Sequence, residues 1–221
     1  MSAITNNLPH LGQSRSDLEH EADLVITRGD PREITEQALA HAKRPAISTN
    51  FRPGAAALLH LVIAQRQDIP VIWVDTGYNT ATTYSYIEGL REAWDLNLHV
   101  YSPRMTTARR MALSGAIPPS DDVRFPDFVQ DTKLEPFERA FSELKPDVWF
   151  TGIRREQTAY RDSLGVVSRG HGNSWRVAPL YASSQDDVAN YLTSHGIADN
   201  HHYVDPTKPG EHLECGLQQL T

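Results

Sequence analysis

Cysteine is nearly absent from this chain: Cys215 is the only one in 221 residues, and it lies six residues from the C-terminus. A single thiol cannot form an internal disulfide, so the expected compartment is the cytoplasm, where thiols stay reduced. No apolar run approaches the roughly eighteen residues of a membrane span, which predicts a soluble protein that does not engage membranes. The opening Met1-Ser2-Ala3-Ile4-Thr5-Asn6-Asn7 lacks a basic leader and an apolar core, so no secretory signal is expected. Positive charge is in deficit too. A formal net charge of −7 disfavours nonspecific attraction to nucleic acid, and leaves a local basic pocket for a small anion as the arrangement to look for.

The length suits one well-buried domain. Residues 1–15 are polar, with Pro9 and Gly12, and read as a mobile arm; residues 16–204 read as a single α/β domain. Residues 205–221 contain Pro206, Pro209, Gly210 and Gly216 around Cys215, and read as a mobile tail carrying that thiol. Helical patterns start at Ser16 and at Pro31. Ala46-Ile47-Ser48-Thr49 reads as a strand feeding a loop and then an apolar helix from Ala55. Residues 70–74 form a continuous apolar run, the pattern of a buried parallel strand. A helix follows over about 80–94, then a strand over 97–101. Residues 102–131, broken by Pro118, Pro119 and Pro126, read as irregular. Leu134, Phe137, Ala140, Phe141 and Leu144 have helical spacing, and Val148-Trp149-Phe150-Thr151 reads as a strand leading into Gly152. Trp175-Arg176-Val177 reads as one more short strand, and Ser184-x-x-Asp187 as a helix start.

Strands alternating with helices predict an α/β fold, a mostly parallel twisted sheet with helices on both faces. Ligands of such sheets bind outside the carboxyl ends of the strands. The segments that follow predicted strands therefore supply the candidate residues. Ser48, Thr49, Asn50 and Arg52 stand at a strand-to-helix junction, where amide donors and the helix dipole favour an anion, although an ordinary turn would look the same. Asp75 either accepts hydrogen bonds from a ribose or base or caps the next helix, and Gly77 leaves room for a close ligand. Gly152, Arg154, Arg155, Gln157 and Arg161 put three arginines within eight positions after a strand. Arginine forks match phosphate and sulfate oxygens, the competing reading being a solvated charge run. Lys133 is a further cationic candidate. His201, His202 and His212 near Cys215 match no paired-ligand spacing, so no metal site is expected.

Together these stretches resemble the thioredoxin-dependent phosphoadenylyl-sulfate (PAPS) reductases, within the sulfonucleotide reductases and the wider adenine nucleotide alpha hydrolase-like group. The pieces are Ser48-Thr49-Asn50-Phe51, Val74-Asp75-Thr76-Gly77-Tyr78, Lys133-Leu134-Glu135-Pro136-Phe137, Gly152-Ile153-Arg154-Arg155-Glu156-Gln157 with Arg161, and Glu214-Cys215-Gly216-Leu217. The resemblance implies that the first loop and the Asp75-Thr76-Gly77 segment hold the nucleotide, while the arginine segment and Lys133 hold phosphate and sulfate. Cys215 would attack the sulfuryl sulfur and form an S-sulfocysteine, which thioredoxin or glutaredoxin resolves to sulfite. It also implies a homodimer. The iron-sulfur relatives that use adenylyl sulfate (APS) bring extra cysteines, absent here, so no bound cofactor is expected and reduced thioredoxin is the expected electron donor. The alternatives are an APS-preferring cluster-free reductase and a nucleotide-binding protein without reductase activity. Three features depart from the family pattern: Arg52-Pro53 ahead of Gly54, Gln218 in place of a histidine, and a short stretch between Asp205 and Glu214.

Overall fold

The structure is a computed structural model and describes residues 29–207; the helix expected from Ser16 lies outside them. The element order is α1 (Pro31–His41), β1 (Pro45–Thr49), α2 (Ala55–Ile63), β2 (Val71–Val74), α3 (Ala81–Ala93), β3 (Leu98–Tyr101) and α4 (Thr107–Ser114). Then come α5 (Phe125–Val129), a π-helical turn (Gln130–Leu134), α6 (Glu135–Leu144) and β4 (Val148–Phe150). A 3-10 turn (Arg155–Gln157), α7 (Ala159–Asp162), β5 (Val167–Arg169), β6 (Trp175–Val177) and α8 (Gln185–Ser194) complete the described chain.

The sheet has the order β3-β2-β1-β4-β6-β5. All pairs are parallel except β5 with β6, so the mostly parallel sheet read from the alternation is what forms. Period-two alternation explains the continuous apolar runs. Ile47, Val71, Trp73, Val148 and Phe150 join the core on one face, with α2 and α8. Ala46, Ile72 and Trp149 face the other way, onto Phe137, Ala140 and Phe141 of α6. Both faces of the central strands are buried, so apolar side chains fill both register positions until Ser48 and Thr49 at the carboxyl end of β1.

Helix starts follow the local chemistry. Asp30 accepts from the Arg32 amide ahead of Pro31, Thr80 accepts from the Thr83 amide, and Ser184 and Asp187 form a reciprocal capping box. The segment read as irregular differs: residues 102–131 contain α4 and α5. None of the residues of α4 is buried, and the prolines that make the stretch look irregular, Pro118, Pro119 and Pro126, all lie beyond its end. The helix is held by the Thr106 cap and the left-handed Gly115 that ends it. No helix among the described residues is long and apolar enough to cross a membrane.

Candidate active site

The carboxyl ends of β1, β2 and β4 open into one cleft of about 540 Å3, within the roughly 300–1,000 Å3 typical of ligand pockets. Its lining includes Ser48, Thr49, Asn50, Arg52, Thr76, Lys133, Gly152, Arg154 and Arg161, over a floor containing Ile72, Val74 and Phe137. Nine residues chosen from four separate sequence segments therefore meet. Asp75, Gly77, Arg155 and Gln157 are not part of this lining, and Cys215 lies outside the described residues.

The first loop is built by its own side chains. Thr49 Oγ1 accepts from the Phe51 amide at 3.0 Å, and Asn50 Oδ1 accepts from the Arg52 amide at 3.3 Å. Phe51 takes a left-handed backbone, φ 54°, which costs a non-glycine residue roughly 1–2 kcal/mol. Burial of its ring, edge-on to Trp73 at 5.7 Å, and a hydrogen bond from Asn200 Nδ2 to its carbonyl at 2.8 Å hold it there. The Gly54 amide at the start of α2 donates to the Asp199 carboxylate at 2.9 Å. One of the amide donors expected for an anion at this junction thus already holds an internal carboxylate. Ser48 Oγ accepts from the Trp149 indole at 2.8 Å.

Asp75 organises the second loop. Its Oδ1 accepts from the Gly77 amide at 2.9 Å, Asn79 Nδ2 at 3.2 Å and the Tyr84 hydroxyl at 2.8 Å. Burial, the hydrogen bond to Asp75 and its negative charge push the Tyr84 phenol up to about 12. Thr80, rather than Asp75, caps α3. Gly77 has φ +79°, and a Cβ there would lie 2.2 Å from Thr107 Oγ1, so this glycine is required by the turn and by the approach of α4.

Arg154 and Arg161 reach the cleft, whereas Arg155 is exposed. Arg154 donates to Glu156 at 3.0 Å and to Gln185 at 2.5 Å. Burial pulls its guanidinium below the ordinary value, Glu156 opposes this, and the charge of Arg161 adds to the lowering; an arginine stays charged regardless. Arg161, 7% exposed, donates through Nη1 to Gln157 Oε1, and that oxygen also accepts from the Arg154 amide. Gln157 therefore positions both arginines from behind.

Lys133 sits on the π-helical turn between α5 and α6, a geometry often found at functional sites. Its Nζ, on a side chain 6% exposed, meets Asp205 Oδ2 at 2.5 Å and Thr207 Oγ1 at 2.9 Å. Burial alone would raise the Asp205 carboxyl; the Lys133 charge and the bonds from Lys133 and Thr207 outweigh it and hold Asp205 below its usual range. Tyr203 connects this pair to the first loop, accepting from Asn50 Nδ2 at 2.9 Å and donating to Asp205 at 3.2 Å. Asp199, Asn200, Tyr203 and Asp205 thus strap the chain across the cleft's rim. Sequence reading did not single them out, because each partner lies far away in the chain. Thr151, at the end of β4, was read only as part of a strand; its hydroxyl just before Gly152 was the available signal. Among the described residues no group of three or more His, Cys, Asp or Glu is placed to hold a metal.

With this geometry in place, comparison with known proteins is informative. The profile of the phosphoadenosine phosphosulfate reductase domain matches residues 44–205. A phosphoadenosine 5'-phosphosulfate reductase of a Synechococcus species is 39% identical over 152 residues, covering 68% of this chain and 65% of that protein. One from a Synechocystis species is 40% identical, covering 74% and 66%, and one from Xanthomonas campestris is 36% identical, covering 80% and 72%. The match thus spans less than two thirds of the first two relatives. Among solved structures, phosphoadenylyl-sulfate reductase from Candida auris, crystallised as a phosphate complex, superposes with a TM-score of 0.71 at 20% identity, covering 86% of this chain and 91% of that one. An FMN adenylyltransferase from Candida glabrata gives 0.55 at 14% identity, covering 81% and 59%. These likenesses establish an adenine nucleotide alpha hydrolase-like fold. With a profile spanning most of the described residues, and relatives 36% to 40% identical, the chain belongs to the phosphoadenosine phosphosulfate reductase family.

Proposed function

We propose that this protein reduces PAPS to sulfite and adenosine 3',5'-bisphosphate, using Cys215 as nucleophile and reduced thioredoxin as donor. The observation that carries the reading is the convergence of Lys133, Arg154 and Arg161 on one cleft at the carboxyl ends of β1, β2 and β4, in a chain of this family. Cations there would stabilise charge developing on the leaving phosphate. The Cys215 thiolate attacks the sulfuryl sulfur, and the sulfur–oxygen bond to the phosphate breaks, its electron pair leaving on adenosine 3',5'-bisphosphate. A thioredoxin thiolate then attacks the Cys215 sulfur, and sulfite departs with the electrons of the sulfur–sulfur bond. The second thioredoxin thiol closes its own disulfide and returns Cys215 as a thiolate. The reaction belongs in the cytoplasm, where thioredoxin is kept reduced, and resemblance to the family makes a homodimer the working assembly.

The test exposes the full chain to PAPS, and separately to APS, without reductant, and follows intact mass before adding reduced thioredoxin and assaying sulfite. A sulfonate adduct confined to Cys215, faster with PAPS, followed by sulfite release is expected. Cys215→Ser should bind nucleotide and give neither product. Sulfite from neither substrate would sink the proposal; sulfite preferentially from APS would reverse the substrate assignment. Tight binding without an adduct would favour a nucleotide-binding protein that does not turn over.

A further inference from the structure

Thr151 follows β4, is 1% exposed, and lines the cleft. Its backbone amide donates to the Val177 carbonyl at 2.9 Å, but its Oγ1 is buried with no hydrogen-bond partner among the described residues. Tyr78 Oη shares that condition and does not line the cleft. A buried hydroxyl left unpaired is costly, and a ligand acceptor that reaches it recovers the loss.

The register explains where Thr151 sits. Ile47 lies opposite Phe150, so Ser48 and Thr151 come next on adjacent strands, and Thr151, two residues beyond Trp149, shares its face of the sheet. The Trp149 indole N–H can only donate, and it does so to Ser48 Oγ at 2.8 Å. Ser48 therefore keeps its hydroxyl proton for another acceptor. Two hydroxyls able to donate stand side by side above an apolar floor that includes Ile72 and Phe137.

We infer that Thr151 is a substrate-binding residue whose hydroxyl donates to an acceptor atom of the bound adenine nucleotide, beside the donor from Ser48. The inference rests on the functional reading above. Binding of adenosine 3',5'-bisphosphate to the full chain tests it by calorimetry. Thr151→Val keeps the shape and removes the hydroxyl; it should weaken affinity by about tenfold, while Thr151→Ser stays close to wild type. The unliganded Thr151→Val protein should melt no lower than wild type, because it loses an unpaired polar group. Repeating the titration with adenosine places the acceptor: a loss that persists puts it on the nucleoside, and one that vanishes puts it on a phosphate. Thr151→Ala guards against a packing defect in the valine variant, and should also lose affinity. Wild-type binding that survives unchanged in both Thr151→Val and Thr151→Ala overturns this inference alone. A wild type that does not bind the nucleotide overturns the functional reading, and this inference with it.

Discussion

Asp205 balances the buried charge of Lys133 at the rim of the cleft. Its carboxylate forms an ion pair with the ammonium of Lys133, a residue only 5% exposed. Neutralising one member of a buried ion pair removes the attraction that offsets its desolvation, so Asp205→Asn should cost roughly 3 kcal/mol at neutral pH, or about 6–12 °C in Tm for a chain of this size. The direction with pH follows from the lowered carboxyl of the folded state. A depressed folded value stabilises above the ordinary value of 3.8, and that contribution fades as pH falls through the lowered one. The gap between wild type and Asp205→Asn in urea unfolding should therefore be full at pH 7 and shrink below about pH 4. A gap that stays constant to pH 3 would show that the ion pair is not its source.

At the level of elements, the first loop depends on the chain that straps it. Asn200 bonds the Phe51 carbonyl, Thr83 Oγ1 at 3.3 Å and the His202 amide at 3.2 Å, and Asp199 receives the Gly54 amide. Asn200→Ala should lower stability by roughly 2 kcal/mol through the buried carbonyl it leaves unpaired. It should also weaken nucleotide binding, because Phe51 loses a restraint on its left-handed φ. Melting and calorimetric titration check both; wild-type values in each would rule out this restraint. The elements were largely legible: the apolar run of β2, the spacing of Phe137, Ala140 and Phe141, and the Ser184-Asp187 cap each carry a local signal. α4 was masked by Pro118, Pro119 and Pro126, which mark the stretch as broken but lie beyond the helix. The Lys133–Asp205 pair, 72 positions apart, and the π-helical turn that presents Lys133 are products of tertiary packing, which no local pattern encodes. Asp75 was chosen for its position at a strand end, yet its carboxylate is engaged in shaping the turn.

For the whole molecule, the sheet order places β1 between β2 and β4, the point where successive strands stop adding on one side and begin on the other. Open α/β sheets take ligands at that crevice, and the cleft lies there, touched by segments from residue 48 to residue 205. A ligand contacting so much of the chain should stabilise it globally. Adenosine 3',5'-bisphosphate at a hundred times its Kd should add about 2.7 kcal/mol, read as a Tm rise of roughly 5–11 °C; no rise at saturation would exclude the cleft as its site. Thr207 anchors its end of the described chain to Lys133, 2.9 Å from Oγ1 to Nζ. Cys215 lies eight residues beyond that anchor in the sequence, and eight residues, even fully extended, span at most about 29 Å. In the proposed reaction the thiol belongs to the same chain as the cleft, so its attack on bound substrate is first order and proceeds at the same rate however dilute the protein becomes.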